Sequence, residues 1–197
     1  IHLGRLKNTM NQIFLTLDAL FTRHLNQLHQ ETGMLPTVAF DPPWPSPCTR
    51  ESSTILPDGK QEWRPIERKV EAIFNNLEQA LEITFHADIS HYYGAFWSNG
   101  LCVEFQDLAF NLIQIWNEED EEQLKENMLG HLFAKQKNKL PLSYFIGCTD
   151  GDEVVCLNHD TGEIVLERPG QKAHKVLANN LEEFLIALKP SSDSYDR

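Results

Sequence analysis

The chain has 197 residues, of which 41% are hydrophobic and 23% charged, as expected of a globular protein with a sizeable core. Its net charge of −12 argues against nucleic acid as a partner, because phosphate binding requires clustered Lys and Arg, and disfavours unaided binding to anionic lipid. No apolar run approaches the roughly 18 residues that a membrane span requires.

The first predicted element is an amphipathic helix over residues 11–33. Its apolar residues recur every three or four positions, and Gly33 ends the pattern. One interpretation of residues 1–9 is an extension added in cloning, with Met10 as the natural start. The segment FDPPWPSPC, residues 40–48, contains four prolines, which exclude regular structure. We therefore expect this segment to lie extended over the surface of the domain.

A hairpin and two further helices are predicted next. SSTIL and KQEWRP flank Pro57-Asp58-Gly59, a typical turn sequence between two strands. A second helix is predicted over residues 66–81, where apolar residues follow helical spacing, and Glu67 and Glu71 would lie on its exposed side. ADISHYYGAFW, residues 87–97, is predicted to form a short helix before a loop at residues 98–100.

Five strands and two helices account for the rest of the chain. The strand-like runs are LCVEFQDL, FNLIQIW, LSYFIGCT, EVVCLN and GEIVLER, and the helices begin near Asn117 and Asn179. Hairpins grouped together, with helices before, between and after them, predict an α+β fold with a mostly antiparallel or mixed sheet packed against helices. We expect one domain over residues 10–190, a flexible tail over 191–197, and a monomer.

The most unusual stretch is QIWNEEDEEQLK, residues 114–125, where five acids follow one another. Residues 101–160 contain twelve Asp and Glu against four Lys, a net charge of −8. Asn117 is a good N-cap residue, and Glu118, Glu119 and Asp120 then fall in the first turn, where the helix dipole favours negative charge. Glu121 and Lys125 have the spacing of a helical ion pair. The buried stripe of this helix is predicted to contain Leu124, Met128, Leu132 and Phe133.

The helix dipole and the helical ion pair explain two or three of the five acids. Three interpretations of the whole run therefore remain open: a solvated helix start, a metal site, and a docking surface for a basic partner. The metal interpretation lacks the oxygen spacing of a calcium loop, and the histidines form no HExxH motif. We predict no metal and no cofactor. Nucleotide-binding and hydrolase motifs are also absent, so we predict no enzyme. The cysteines form no CxxC pair, which favours reduced thiols and a reducing compartment.

Several segments, in order along the chain, resemble the Syd family of bacterial proteins. They are PSPC at 45–48, VEAIF at 70–74, LIQIWNEED at 112–120, ENMLGHL at 126–132, QKNKLP at 136–141 and LANNLEEFLIALKP at 177–190. The resemblance implies the SUKH-type α+β fold and a cytosolic protein held at the inner membrane by the translocon subunit SecY. It also implies an acidic groove that receives the basic cytoplasmic loops of SecY, in quality control or negative regulation of the translocase.

A docking surface for those basic loops would need acids and aromatic groups. The partner-binding candidates are Trp116, Glu118, Glu119, Asp120, Glu121, Glu67, Glu71, Asp88, Tyr92 and Tyr93. The resemblance matches the first four directly and also Glu71, whereas Glu67 follows from helical spacing. Other members of the SUKH superfamily neutralise toxins. An immunity-type protein that presents an acidic face to a toxin is therefore the alternative function.

Overall fold

The computed structural model of the chain describes residues 2–49, 54–68 and 70–191. Five α-helices and one 3₁₀ turn lie in this part of the chain. The helices are α1 (His2–Thr32), α2 (Asn75–Leu81), α3 (Ala87–Ala95), α4 (Glu118–Lys137) and α5 (Leu181–Ala187), and the 3₁₀ turn is Pro47–Thr49. The strands are β1 (Thr37–Ala39), β2 (Lys60–Glu62), β3 (Ile66–Glu67), β4 (Phe96–Trp97), β5 (Leu101–Phe105), β6 (Leu108–Leu112), β7 (Ser143–Cys148), β8 (Val154–Asn158), β9 (Ile164–Glu167), β10 (Lys175–Ala178) and β11 (Lys189–Pro190).

A seven-stranded sheet forms the centre of the molecule, in the order β10-β9-β8-β7-β6-β5-β11. Every neighbouring pair in it is antiparallel. In β5, Leu101, Val103 and Phe105 are buried and the two intervening residues are not, so one face of this strand faces the core. The α+β prediction is confirmed, and the sheet is wholly antiparallel within the described residues.

The core lies where the helices cover the sheet. Helix α1 packs against α3, α5 and β11, and α4 packs against β7. Leu17 and Leu20 of α1, Leu132 of α4 and Phe184 of α5 have no exposed surface. Burying an apolar side chain of this size contributes about 1.5–3 kcal/mol, so the amphipathic stripes of the helices hold them on the sheet. The predicted helix over 11–33 is confirmed, and it begins at His2.

The second predicted helix, over residues 66–81, is wrong in its first half. Ile66 and Glu67 form β3, which pairs with β4, and the backbone N–H of Val70 donates to the Gly94 carbonyl at 2.9 Å. A Cβ atom on Gly94 would lie 1.8 Å from the Val70 carbonyl oxygen, so only glycine allows this close approach. Backbone pairing with the end of α3 thus replaces the helix until Asn75.

Two other predictions need correction. The turn at Pro57-Asp58-Gly59 is present, with Gly59 at φ +77°, and the Leu56 N–H donates across it to the Lys60 carbonyl at 2.7 Å. The strand that pairs with β2 is nevertheless β1 and not the segment before the turn. Residues 52 and 53 of that predicted strand lie outside the described residues. Phe133 is 52% exposed and does not belong to the buried stripe of α4. Pro190, the last residue of the predicted domain, pairs with Val103 in β11, and residues 192–197 of the predicted tail lie outside the described part.

Candidate partner-binding surface

The start of α4 is fixed by reciprocal capping. Asn117 Oδ1 accepts a hydrogen bond from the backbone N–H of Asp120 at 2.9 Å, which confirms Asn117 as the N-cap. Asp120 Oδ2 accepts from the backbone N–H of Trp116 at 2.7 Å, a variant of the capping box. Asp120 is therefore occupied in positioning the helix, and its carboxylate is only partly exposed.

The proline-rich segment is attached to this helix start. Asn117 Nδ2 donates to the Pro45 carbonyl at 2.9 Å, and Ser46 Oγ donates to the Trp116 carbonyl at 2.6 Å. Between the two elements lies an open cleft of about 420 Å³, lined by Pro45, Ser46, Pro47, Thr49, Asn117, Glu118 and Glu119. The sequence predicted an extended segment here but offered no signal that Ser46 would join it to α4.

Glu118 and Glu119 are the acids that this arrangement presents to solvent. Both are exposed, and both line the cleft. Within the described residues neither side chain takes part in an ion pair, whereas Glu122, one turn along, pairs with Lys125 at 2.9 Å. Two adjacent carboxylates at the mouth of a cleft create a local negative field that attracts cationic side chains.

Glu121, by contrast, is neutralised within the protein. Lys125 Nζ lies 2.6 Å from its carboxylate, as the helical spacing predicted, and Arg68 forms a second, shorter ion pair with it. The Arg68 guanidinium also lies 3.8 Å above the centre of the Trp97 ring. Burial alone would raise the pKa of Glu121, but hydrogen bonds from Lys125 and Arg68 hold it below its usual range. The sequence analysis did not identify Arg68, because no local pattern joins it to Glu121, fifty-three residues later.

Glu67 and Glu71 lie on the segment that Arg68 joins to α4. Both side chains are exposed. Glu67 lies in β3 and Glu71 in the bend that follows, so the helical spacing from which Glu67 was inferred does not exist. The ion pair between Arg68 and Glu121 nevertheless brings this acidic segment next to the first turns of α4. Two acidic stretches, distant in sequence, thus adjoin one another.

The aromatic candidates lie inside the protein. Trp116 is 3% exposed and packs edge-on against Trp63, with ring centres 6.0 Å apart. Tyr92 and Tyr93 of α3 are buried, and their hydroxyls donate to the carbonyls of Ile113 and Phe145 at 2.9 and 2.8 Å. Rings in these positions stabilise the scaffold and have almost no exposed surface to offer a partner.

Asp88 is also largely buried, at the start of α3. Its carboxylate lies 3.9 Å from Nδ1 of His86 and 4.0 Å from Nδ1 of His91. Burial lowers the pKa of His91, and the Asp88 carboxylate opposes that effect. Asp88 therefore belongs to the packing of α3 rather than to the exposed acidic surface.

Two further observations concern the cysteines and the helices. Cys48, Cys102, Cys148 and Cys156 form no disulfide. In the part of the chain that the structure describes, every helix is either too short or too polar to cross a membrane.

These features define a small α+β protein with an antiparallel sheet, flanking helices and exposed carboxylates beside a proline-lined cleft. The family model described as Syd protein (SUKH-2) matches residues 15–190, and the chain belongs to this family. It is 31% identical over 191 residues to a Protein Syd of Pseudoalteromonas atlantica, covering 94% of this chain and 98% of that relative.

Two more relatives extend the comparison. A Protein Syd of Shewanella loihica is 34% identical over 178 residues, which cover 88% of this chain and 81% of the relative. A Protein Syd of Hahella chejuensis is 40% identical over 133 residues, which cover 68% and 69% respectively. The match with the first relative spans nearly all of both chains, so the family assignment applies to the whole α+β fold.

Proposed function

We propose that this protein binds the basic cytoplasmic loops of SecY through the acidic surface at the start of α4. In this proposal it takes part in quality control or negative regulation of the translocase, and it reaches the cytoplasmic face of the inner membrane by holding SecY. The observation that carries the proposal is the pair of exposed carboxylates, Glu118 and Glu119, at the mouth of the cleft.

The charge of the partner follows from a general rule of membrane topology. Cytoplasmic loops of membrane proteins are enriched in Lys and Arg, so a protein that receives them needs the opposite charge. The exposed side chains of Glu67 and Glu71 extend the negative field around Glu118 and Glu119. Attraction between exposed charges is screened over about 8 Å at physiological ionic strength, so the proposed complex should weaken as salt is added.

The test reverses the two exposed acids and leaves the cap intact. In Glu118→Lys/Glu119→Lys, Asp120 and Asn117 keep their hydrogen bonds, which a triple change including Asp120 would remove. Two lysines in the first turn oppose the helix dipole at a cost of about 0.3–1 kcal/mol each, so circular dichroism and thermal unfolding should accompany the assay. The neutral pair Glu118→Gln/Glu119→Gln separates loss of attraction from repulsion.

A matched control changes the same net charge elsewhere. Asp107 and Asp150 are exposed in the turns after β5 and β7, at the end of β6 remote from α4. Binding to peptides of the SecY cytoplasmic loops and to detergent-solubilised SecY is measured by fluorescence anisotropy from low to high salt. We expect Glu118→Lys/Glu119→Lys to weaken binding about tenfold or more, equivalent to about 1.4 kcal/mol, and Asp107→Lys/Asp150→Lys to change it much less.

Equal affinities for the two double variants would rule out the α4 surface as the site. Absence of any binding by the wild-type protein, to peptides and to solubilised SecY alike, would contradict SecY as the partner. Binding of the same strength to an unrelated basic peptide would show that the surface attracts positive charge without selecting SecY.

A further inference from the structure

Four potential metal ligands of different chemistry converge in the core, where α4 lies over β7, β8 and β9. They are His131 Nε2, Ser143 Oγ, Cys156 Sγ and the carboxylate of Glu167. The ligand atoms of His131, Cys156 and Glu167 all lie within 4.8 Å of one another. Cys156 and Glu167 have no exposed surface, and the His131 side chain is 10% exposed, so one member of the set reaches towards solvent.

We propose that this cluster is a binding site for one divalent transition-metal ion, with Zn²⁺ as the ion that fits best. A thiolate, an imidazole and a single carboxylate are the donors that Zn²⁺ prefers, whereas Mg²⁺ and Ca²⁺ require sets of oxygens. The site is unrelated to the acidic surface of α4, which offers oxygen donors alone.

The separations suit a tetrahedral centre. Two ligands bound at 2.0–2.1 Å around a tetrahedral ion lie about 3.4 Å apart. Here His131 Nε2 lies 3.7 Å from Glu167 Oε1 and 3.3 Å from Ser143 Oγ, and Ser143 Oγ lies 2.9 Å from Glu167 Oε1. Shifts of a few tenths of an ångström would bring His131 Nε2 and Glu167 Oε1 to the separation of two ligands on one ion. Cys156 Sγ lies within 4.8 Å of both atoms and would move closer to complete the set, with Ser143 Oγ or a water molecule as the fourth ligand.

Lys135 fixes the carboxylate from the other side. Its Nζ donates to Glu167 Oε2 at 2.7 Å and to the Pro141 carbonyl at 3.1 Å, so Glu167 Oε1 is left facing His131 and Ser143. Metal-binding carboxylates are commonly held by such an outer hydrogen bond. On binding, the thiol of Cys156 releases its proton to solvent and a bond from sulfur to the ion forms.

The charge of Lys135 also sets the ion preference. Before the ion binds, the charges of Lys135 and Glu167 cancel, so the buried side chains of the cluster have no net charge. The ion adds two positive charges and the departing proton removes one, so the buried set gains one positive charge. An ion must offset this cost through a strong bond to sulfur, which favours Zn²⁺ and Co²⁺ over hard cations.

The test uses Co²⁺ as a spectroscopic probe on the full chain, freed of metal with a chelator and kept reduced without added thiols. We expect binding of one ion per chain, with a sulfur-to-cobalt charge-transfer band in the near ultraviolet and the intense visible bands of tetrahedral Co²⁺. Zn²⁺ should displace Co²⁺ and raise the thermal unfolding temperature.

Matched variants locate the sulfur. Cys156→Ser should lose the charge-transfer band, whereas Cys148→Ser, which removes a partly buried thiol in β7, should keep it. Circular dichroism reports whether each variant folds. If Cys156→Ser does not fold, His131→Gln decides, because it should weaken Co²⁺ binding and alter the visible bands.

Three results would overturn the proposal. The first is a folded, reduced wild-type chain that shows no charge-transfer band at excess Co²⁺. The second is a band that disappears with Cys148→Ser or persists in Cys156→Ser. The third is a His131→Gln chain with unchanged affinity and spectrum. Any of these would leave the cluster as a hydrogen-bonded network that attaches α4 to the sheet.

Discussion

The ion pair between Lys135 and Glu167 offers a sharp test of how α4 is held on the sheet. Both side chains are at most 2% exposed, and Lys135 Nζ lies 2.7 Å from Glu167 Oε2. Lys135→Met removes the cation and leaves a buried carboxylate without its charged partner. Breaking a buried pair from one side costs about 3–5 kcal/mol, and we expect the lower end because the Ser143 hydroxyl still donates to Glu167. Typical total stabilities are about 5–15 kcal/mol, so the loss would be large.

The assay is urea unfolding followed by tryptophan fluorescence, in chelator so that no metal contributes. The double variant Lys135→Met/Glu167→Leu should recover more than half of the loss, because well-packed apolar residues can replace a buried pair. The exposed pair between Asp58 and Lys60 provides the control. Its side chains are 58% and 52% exposed and its charges are 3.9 Å apart, so Lys60→Met should cost about 0–1 kcal/mol.

The reasoning would be refuted if Lys135→Met, folded as judged by circular dichroism, cost less than about 1 kcal/mol. It would also fail if the double variant were as unstable as the single variant, because the loss would then come from packing rather than from an unpaired charge.

Two other predictions concern stability. Asn117→Ala removes the acceptor for the Asp120 N–H and the donor to Pro45, so it should lower the free energy of unfolding by about 0.5–2 kcal/mol. Asn117→Asp keeps the cap and should cost less. Equal losses for the two variants in urea unfolding would contradict the capping role. Burial lowers the pKa of His24 from 6.5, and its bond to the Ser191 backbone offsets this only in part. As pH falls below 6.5, His24 therefore gains a proton in the unfolded chain before it does in the folded one, and the free energy of unfolding decreases. His24→Gln should make the free energy of unfolding less dependent on pH below 6.5. An unchanged pH profile of unfolding in this variant would refute the role of His24.

The elements that could be predicted are those whose signal lies within a few consecutive residues. Asn117 caps α4 because its side chain and the Asp120 N–H are three residues apart, and no distant contact is needed. The alternation in β5 likewise identifies that strand from a local pattern, although the predicted run LCVEFQDL continued through Gln106 and Asp107, which form the turn to β6. Glu118 and Glu119 could be expected on the surface because they directly follow the N-cap, in the first turn of α4.

The errors share one physical cause: a distant segment competes successfully with the local preference. The apolar spacing of residues 66–81 suits a helix, but pairing of β3 with β4 and the close approach of Val70 to Gly94 satisfy the backbone differently. The acidic character of Glu121 was evident, yet Arg68, fifty-three positions earlier, neutralises it. Neither contact can be predicted from the residues that neighbour it in the sequence.

The sequence by itself determined the class of fold, the capped acidic helix and the negative field around it, because each depends on local periodicity or on summed charge. Only the tertiary structure decided which of those charges face solvent and which are paired, since burial depends on what packs against each side chain. It alone placed Tyr92 and Tyr93 in the core and brought Cys156 together with Glu167, because side chains on neighbouring strands meet only when the sheet sets their register.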